Sequence, residues 1–80
     1  SITKVVKVYP NPATNEITLS EKFGKNQLTL FDLLGKNYPI KLMDNFNSST
    51  NIDISSLSSG LYFIKIITNN SIKSIKFFKE

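Results

Sequence analysis

Eighty residues with 40% apolar side chains can close one small core and leave nothing for a second. The chain has neither Cys nor His, which excludes a disulfide-stapled scaffold, a zinc site built from those ligands, and nucleophilic chemistry of the Cys–His or Ser–His kind. The net charge of +4 comes from ten lysines without one arginine, a poor match to the bidentate phosphate and base contacts of nucleic-acid binders.

In chain order, Lys4 to Tyr9 reads as an opening strand, with residues 1–7 serving either as that strand or as a linker. Pro10, Asn11 and Pro12 then make a stiff corner. Each proline fixes its own φ and drives the preceding residue toward extended geometry, while the Asn side chain can hydrogen-bond its own turn. Ile17 and Leu19 alternate with Glu16, Thr18 and Ser20, a half-buried strand. Gly24 separates it from the next, in which Leu28 and Leu30 alternate with Gln27 and Thr29.

Asp32 and Gly35 stand three apart, as in a type I turn closed by a left-handed glycine. Tyr38, Ile40 and Leu42 continue the period of two as one strand. Asp44 to Ser49 is a polar loop whose Asp44, Asn45 and Asn47 oxygens are candidate calcium ligands; without the glycine and distal Glu of an EF-hand loop, a plain hairpin loop is the reading preferred. Ile52 and Ile54 form a further strand.

Gly60 then introduces the most apolar strand, Leu61 to Thr68. It is apolar on both parities, which predicts a central position with Tyr62, Ile64 and Ile66 inward. A turn at Asn69 and Asn70 leads into Ile72 to Lys79, where Ile75 and Phe77 share the inward face. Phe63, Ile67 and Phe78 are left facing outward, covered by loops and lysine stems or available as a partner patch.

About seven short, mainly antiparallel strands in eighty residues predict an all-β sandwich. Its expected core is Ile17, Leu19, Leu28, Leu30, Ile52, Ile54, Tyr62, Ile64, Ile66, Ile75 and Phe77. No apolar run approaches the roughly 18 residues of a membrane helix, and "SITKVVKVYP" lacks the apolar stretch of a signal peptide. Opening at Ser1, the chain is expected to be a piece cut from a longer protein.

The carboxylates Glu16, Glu21, Asp32, Asp44, Asp53 and Glu80 form no acid–base pair in sequence, and Asp32 and Asp53 are better used in turn and cross-strand bonding. The two Asn-x-Ser sequons, at Asn47 and Asn69, are what a chain rich in Ser and Asn yields by chance. Tyr9, Phe23, Phe31 and Phe46 are too scattered to make a sugar-stacking platform, and there is no Trp. No catalytic, metal or cofactor site is expected, and no nucleic-acid partner or membrane insertion.

Four stretches fall in one order: "YPNPA", "LTLFDLLGK", "IDISSLSSGLYFIKI" and "IKSIKFFKE". Together, from Val8 to Glu80, they resemble the C-terminal sorting domain (type A) of the type IX, or Por, secretion system of Bacteroidetes. The resemblance implies an Ig-like sandwich at the end of a secreted cargo protein, which it follows through the periplasm and addresses to an outer-membrane translocon. It further implies that a sortase-like protease at the surface cuts before the domain, and that the cargo is then attached to the cell surface or released. Matched position by position, the sorting motifs would be Pro10, Asn11 and Pro12; Asp32 and Gly35; Gly60 and Tyr62; and Lys76 and Lys79. The final Glu80 departs from a lysine ending. The other reading of the same residues is a cell-surface adhesion or carbohydrate-binding sandwich appended to an enzyme.

Overall fold

A computed structural model describes residues 5–43 and 48–80. Lys4, at the start of the predicted first strand, and Asp44, Asn45, Phe46 and Asn47 of the polar loop lie outside the described residues. Alternating apolar side chains bury one face of each strand, and two such faces packed together give a sandwich. One sheet holds β1 (Val8–Tyr9), β2 (Glu16–Leu19), β6 (Thr50–Asp53) and β5 (Leu42–Met43), in the order β1-β2-β6-β5. The other holds β4 (Asn37–Tyr38), β3 (Leu28–Asp32), β7 (Gly60–Ile67) and β8 (Ile72–Lys79), in the order β4-β3-β7-β8. Every strand pair is antiparallel. One 3-10 turn, Lys25–Gln27, leads into β3.

The core lies between the sheets. Ile17 and Leu19 of β2, Leu28 and Leu30 of β3, Ile52 of β6 and Ile54 just after it are buried against Tyr62, Ile64 and Ile66 of β7 and Phe77 of β8. Ten of the eleven residues expected in the core are thus buried; the eleventh, Ile75, is half-buried and packs on the margin, because β8 is an edge strand with a neighbour on one side only. Apolar burial of this kind stabilises by roughly 25 cal/mol per Å², and β7, bonded on both sides, supplies Tyr62, Ile64 and Ile66 to it. The expectation that the most apolar strand is central is met: β7 pairs with β3 along five residues and with β8 along eight.

The strand expected through Tyr38, Ile40 and Leu42 is two strands in different sheets. β4 ends at Tyr38 in one sheet and β5 begins at Leu42 in the other, with Pro39, Ile40 and Lys41 crossing the gap. Pro39 has no N–H to extend the ladder. Ile40 is buried in the crossing, but Leu42 beyond it is exposed, so the alternation ends where the partner sheet changes. This split makes eight strands among the described residues, where about seven were expected. Strand β1 is also shorter than expected, covering Val8 and Tyr9 alone.

Ile64 is fully buried in the central strand. Ile64→Ala should therefore cost about 2–5 kcal/mol, lowering the melting temperature of so small a protein by about 10 °C or more. A melt indistinguishable from wild type would place Ile64 outside the core.

Candidate functional site

The hairpin joining β3 to β4 is fixed by one carboxylate. Asp32 Oδ1 accepts from the backbone N–H groups of Leu34 (2.9 Å) and Lys36 (3.0 Å), and Oδ2 accepts from the Tyr38 hydroxyl (2.8 Å). The Gly35 N–H donates to the Asp32 carbonyl, and the Asp32 N–H to that of Lys36. Gly35 has φ of 83°, the left-handed conformation the turn spacing predicts and one that other residues resist. The Tyr38 hydrogen bond, with the two backbone donors and the Lys36 charge, lowers the Asp32 pKa despite partial desolvation. The same bond raises that of Tyr38.

Gly60 opens β7 with φ of 150°. Nothing lies within 4 Å of where a Cβ would sit on Gly35 or Gly60, so a side chain at either would meet backbone strain and no crowding. Two residues on, Tyr62 is buried, and its hydroxyl donates to the Ser58 carbonyl (2.7 Å), closing the turn before the strand. Its ring stacks on Phe77 at 5.9 Å between centroids and meets the edge of Tyr38 at 5.6 Å. This cluster ties β4, β7 and β8 together through aromatic contacts, each contributing about 0.5–1.5 kcal/mol beyond its burial.

The proline corner explains itself in the same region. Between Tyr9 of one sheet and Ala13, the chain crosses to the edge of β8. The peptide bonds before Pro10 and Pro12 are both cis. Asn11 Oδ1 accepts from the Phe78 N–H (3.0 Å), a bond between residues 67 apart in sequence. The Ala13 N–H donates to the Phe78 carbonyl (2.7 Å), and the Glu80 N–H donates to the Ala13 carbonyl (2.8 Å). Ala13, fully buried, thereby makes a short parallel bridge with Lys79. The corner is a clasp over the last turn of the edge strand.

The strand registers bring most of the predicted motif residues to one end of the β4-β3-β7-β8 sheet. Asp32 pairs with Tyr62, Tyr62 with Phe77, and Gly60 with Lys79, while Asn11 reaches Phe78. The two lysines differ. Lys76 is exposed on the outer face opposite Phe63, whereas Lys79 shares the inward parity of Phe77 and is buried, its Nζ donating to the Glu80 carbonyl. Of the three outward apolar residues, Phe63 stacks on Phe31 at 5.3 Å, and Phe78 is its diagonal neighbour across the strand pair. Ile67 stands four residues further along β7, opposite Ile72, with Lys65 between on the same face. Ala13 and Tyr38 belong to this end of the molecule and were not singled out in the sequence; for Tyr38 the signal was an aspartate six residues earlier, across a turn.

At the other end of the sandwich, by the β7–β8 turn, an open cleft of ≈ 380 Å³ is lined by Val6, Phe23, Ile66, Thr68, Glu21 and Lys73 among others. It contains none of the motif residues. Among the described residues, no group of three or more Asp or Glu side chains stands close enough to hold a metal ion. Among the described residues, no helix is long and apolar enough to cross a membrane.

Fold and site together define an all-β sandwich whose distant motifs meet at one end of one sheet. A family model for the secretion system C-terminal sorting domain matches residues 7–80. The chain belongs to that family, the sorting domains of the type IX secretion system. No curated protein and no solved structure matches significantly.

The carboxylate bonds generate a pH dependence. Asp32 and Asp53 both have lowered pKa values, the latter through the Ser55 backbone N–H and hydroxyl and the nearby Lys41 charge. Each favours the folded state above the ordinary aspartate pKa, and that contribution disappears as pH falls through the depressed folded value. The melting temperature should therefore fall below about pH 4, and Asp32→Asn should flatten the fall. An acid limb equally steep in the variant would remove Asp32 from this role.

Loss of the clasp is measurable separately. Asn11→Ala should cost about 1 kcal/mol and speed amide exchange at Phe78 while leaving Ile64 protected. Unchanged exchange at Phe78 would mean that the side-chain bond contributes nothing.

Proposed function

We propose that this chain is a non-catalytic secretion signal that delivers a cargo protein, attached ahead of its proline corner, to the outer-membrane translocon of the type IX system in a Bacteroidetes cell. The supporting observation is the family match over residues 7–80. On this reading the sandwich, of the Ig-like kind, is one folded unit that crosses the periplasm behind its cargo. A sortase-like protease then cuts in the linker ahead of the domain, and the cargo is attached to the surface or released.

The signal residues are Pro10, Asn11, Pro12, Asp32, Gly35, Gly60, Tyr62, Lys76 and Lys79. Their packing divides them by role. Asn11, Asp32, Gly35, Gly60, Tyr62 and Lys79 shape and hold one end of the sheet. Lys76 projects from the edge strand beside Phe63 and Phe78, where the machinery can read it together with unpaired backbone groups by strand addition.

A reporter fused ahead of this chain, in a host that exports by this route, tests the proposal. The wild-type fusion should reach the surface or medium. Lys76→Ala should fold normally and be exported less. Phe77→Ala, which empties a fully buried site at a cost of about 3–5 kcal/mol, should impair folding and export together. A wild-type fusion retained in the periplasm would refute the sorting role, and full export of the Lys76 variant would refute lysine recognition.

A further inference from the structure

The β3–β4 hairpin presents two leucines to water, and nothing in the fold needs them there. Leu33 is 69% exposed and Leu34 93% exposed. The turn that carries them is over-determined: three hydrogen bonds to the Asp32 carboxylate, two backbone bonds across the loop, and Gly35 in the left-handed region. Polar residues would serve such a turn at no conformational loss. A side chain as exposed as Leu34 adds next to nothing to the core. What the bonding achieves is to hold the backbone that carries two apolar side chains in one conformation before any partner arrives, which removes part of the ordering cost of binding.

The tip is also continuous with exposed apolar surface. One step past the Asp32–Tyr62 pair, β7 carries Leu61, and opposite Leu61 in β8 is Phe78, 44% exposed. The stacked Phe31 and Phe63 follow in the next row, with Lys76 across from Phe63. Lys36 borders the turn, its ammonium 5.3 Å from the Tyr38 ring centre. The Asp32 carboxylate is consumed inside the hairpin, and Glu80 lies one row further out along the β8 direction. The tip is thus an apolar projection with Lys36 beside the turn, while Lys76 stands two strands away on the outer face.

Resting on the sorting reading above, we infer that Leu33 and Leu34 are contact residues for a protein of the secretion machinery, inserting into an apolar pocket whose rim carries carboxylates that face Lys36. Asp32 and Gly35 act through them as positioning residues. A protein pocket fits the geometry better than a lipid surface, because a bilayer does not require the backbone that carries two side chains to be held in one conformation.

The test uses the reporter fusion in the exporting host, with Leu33→Ser/Leu34→Ser, Leu33→Met/Leu34→Met and wild type side by side, and a thermal melt of each purified fusion. The double serine variant should melt like wild type, since both positions are exposed. Its export should fall at least about tenfold, the loss expected when two apolar anchors no longer enter a pocket. The double methionine variant should restore most of it. Export of the serine variant at the wild-type level overturns the inference while leaving the sorting role intact. A lowered melting temperature that accounts for the lost export overturns it in favour of a structural role. Leucine-dependent flotation of the wild-type fusion with phosphatidylglycerol–phosphatidylethanolamine vesicles overturns it in favour of lipid. A wild-type fusion that is not exported removes the sorting reading and this inference with it.

Discussion

The register of β7 between β3 and β8 is the constraint on which the rest of the molecule depends. It sets Tyr62 against Asp32 on one side and Phe77 on the other, and Gly60 against Lys79. A slip of one residue would turn Tyr62, Ile64 and Ile66 to the solvent and bring Leu61, Phe63 and Lys65 inward. With Ile64 fully buried and Lys65 opposite it in parity, that alternative is far less favourable. Three stretches that are not neighbours in sequence therefore meet at one end of the sheet because a single strand aligns two neighbours.

The proline corner adds the fourth stretch. It leaves β1 in one sheet and bonds to the end of β8 in the other, so main-chain hydrogen bonds join the two layers where side-chain packing alone would otherwise do so. An edge strand is a liability when its backbone groups face solvent. Here Asn11 and Ala13 occupy the groups of Phe78, and Ala13 accepts from Glu80. Among the described residues, no backbone partner of this kind lies beyond Ser74 or Lys76. A partner strand would find its opening there, next to the outward lysine. The clasp also couples the start of the sandwich to its last residues, so a change at either is felt at the other.

Much of this was legible in the sequence, for reasons that can be stated. Alternation at Ile17 and Leu19, or Ile52 and Ile54, fixes which face is buried, because the side-chain period of a strand is two. The spacing of Asp32 and Gly35 fixes a turn, since both residues act locally. Alternation does not report which sheet a strand joins, so Tyr38, Ile40 and Leu42 read as one strand while Pro39 sends the chain across. Nor does a two-residue parallel bridge leave a periodic trace, which is why Ala13 was not expected in the core. Lys79 carried a mixed signal: its parity is that of Phe77, its charge that of a surface residue, and parity prevailed because its ammonium found the Glu80 carbonyl. Leu33 and Leu34 were hidden inside an apolar-looking run, and only the turn geometry shows that they are outside the fold.

The central claim is that motifs far apart in the chain form one continuous end of a sheet, closed by the corner around Asn11. Amide hydrogen exchange followed residue by residue tests this most directly. The account predicts that the N–H groups of Ala13, Phe78 and Glu80 exchange far more slowly than those of an unstructured chain and open together, with Ile64 the most protected of all. Exchange of Phe78 and Glu80 at unstructured rates while Ile64 stays protected would show a sandwich whose last residues are loose, and would contradict it.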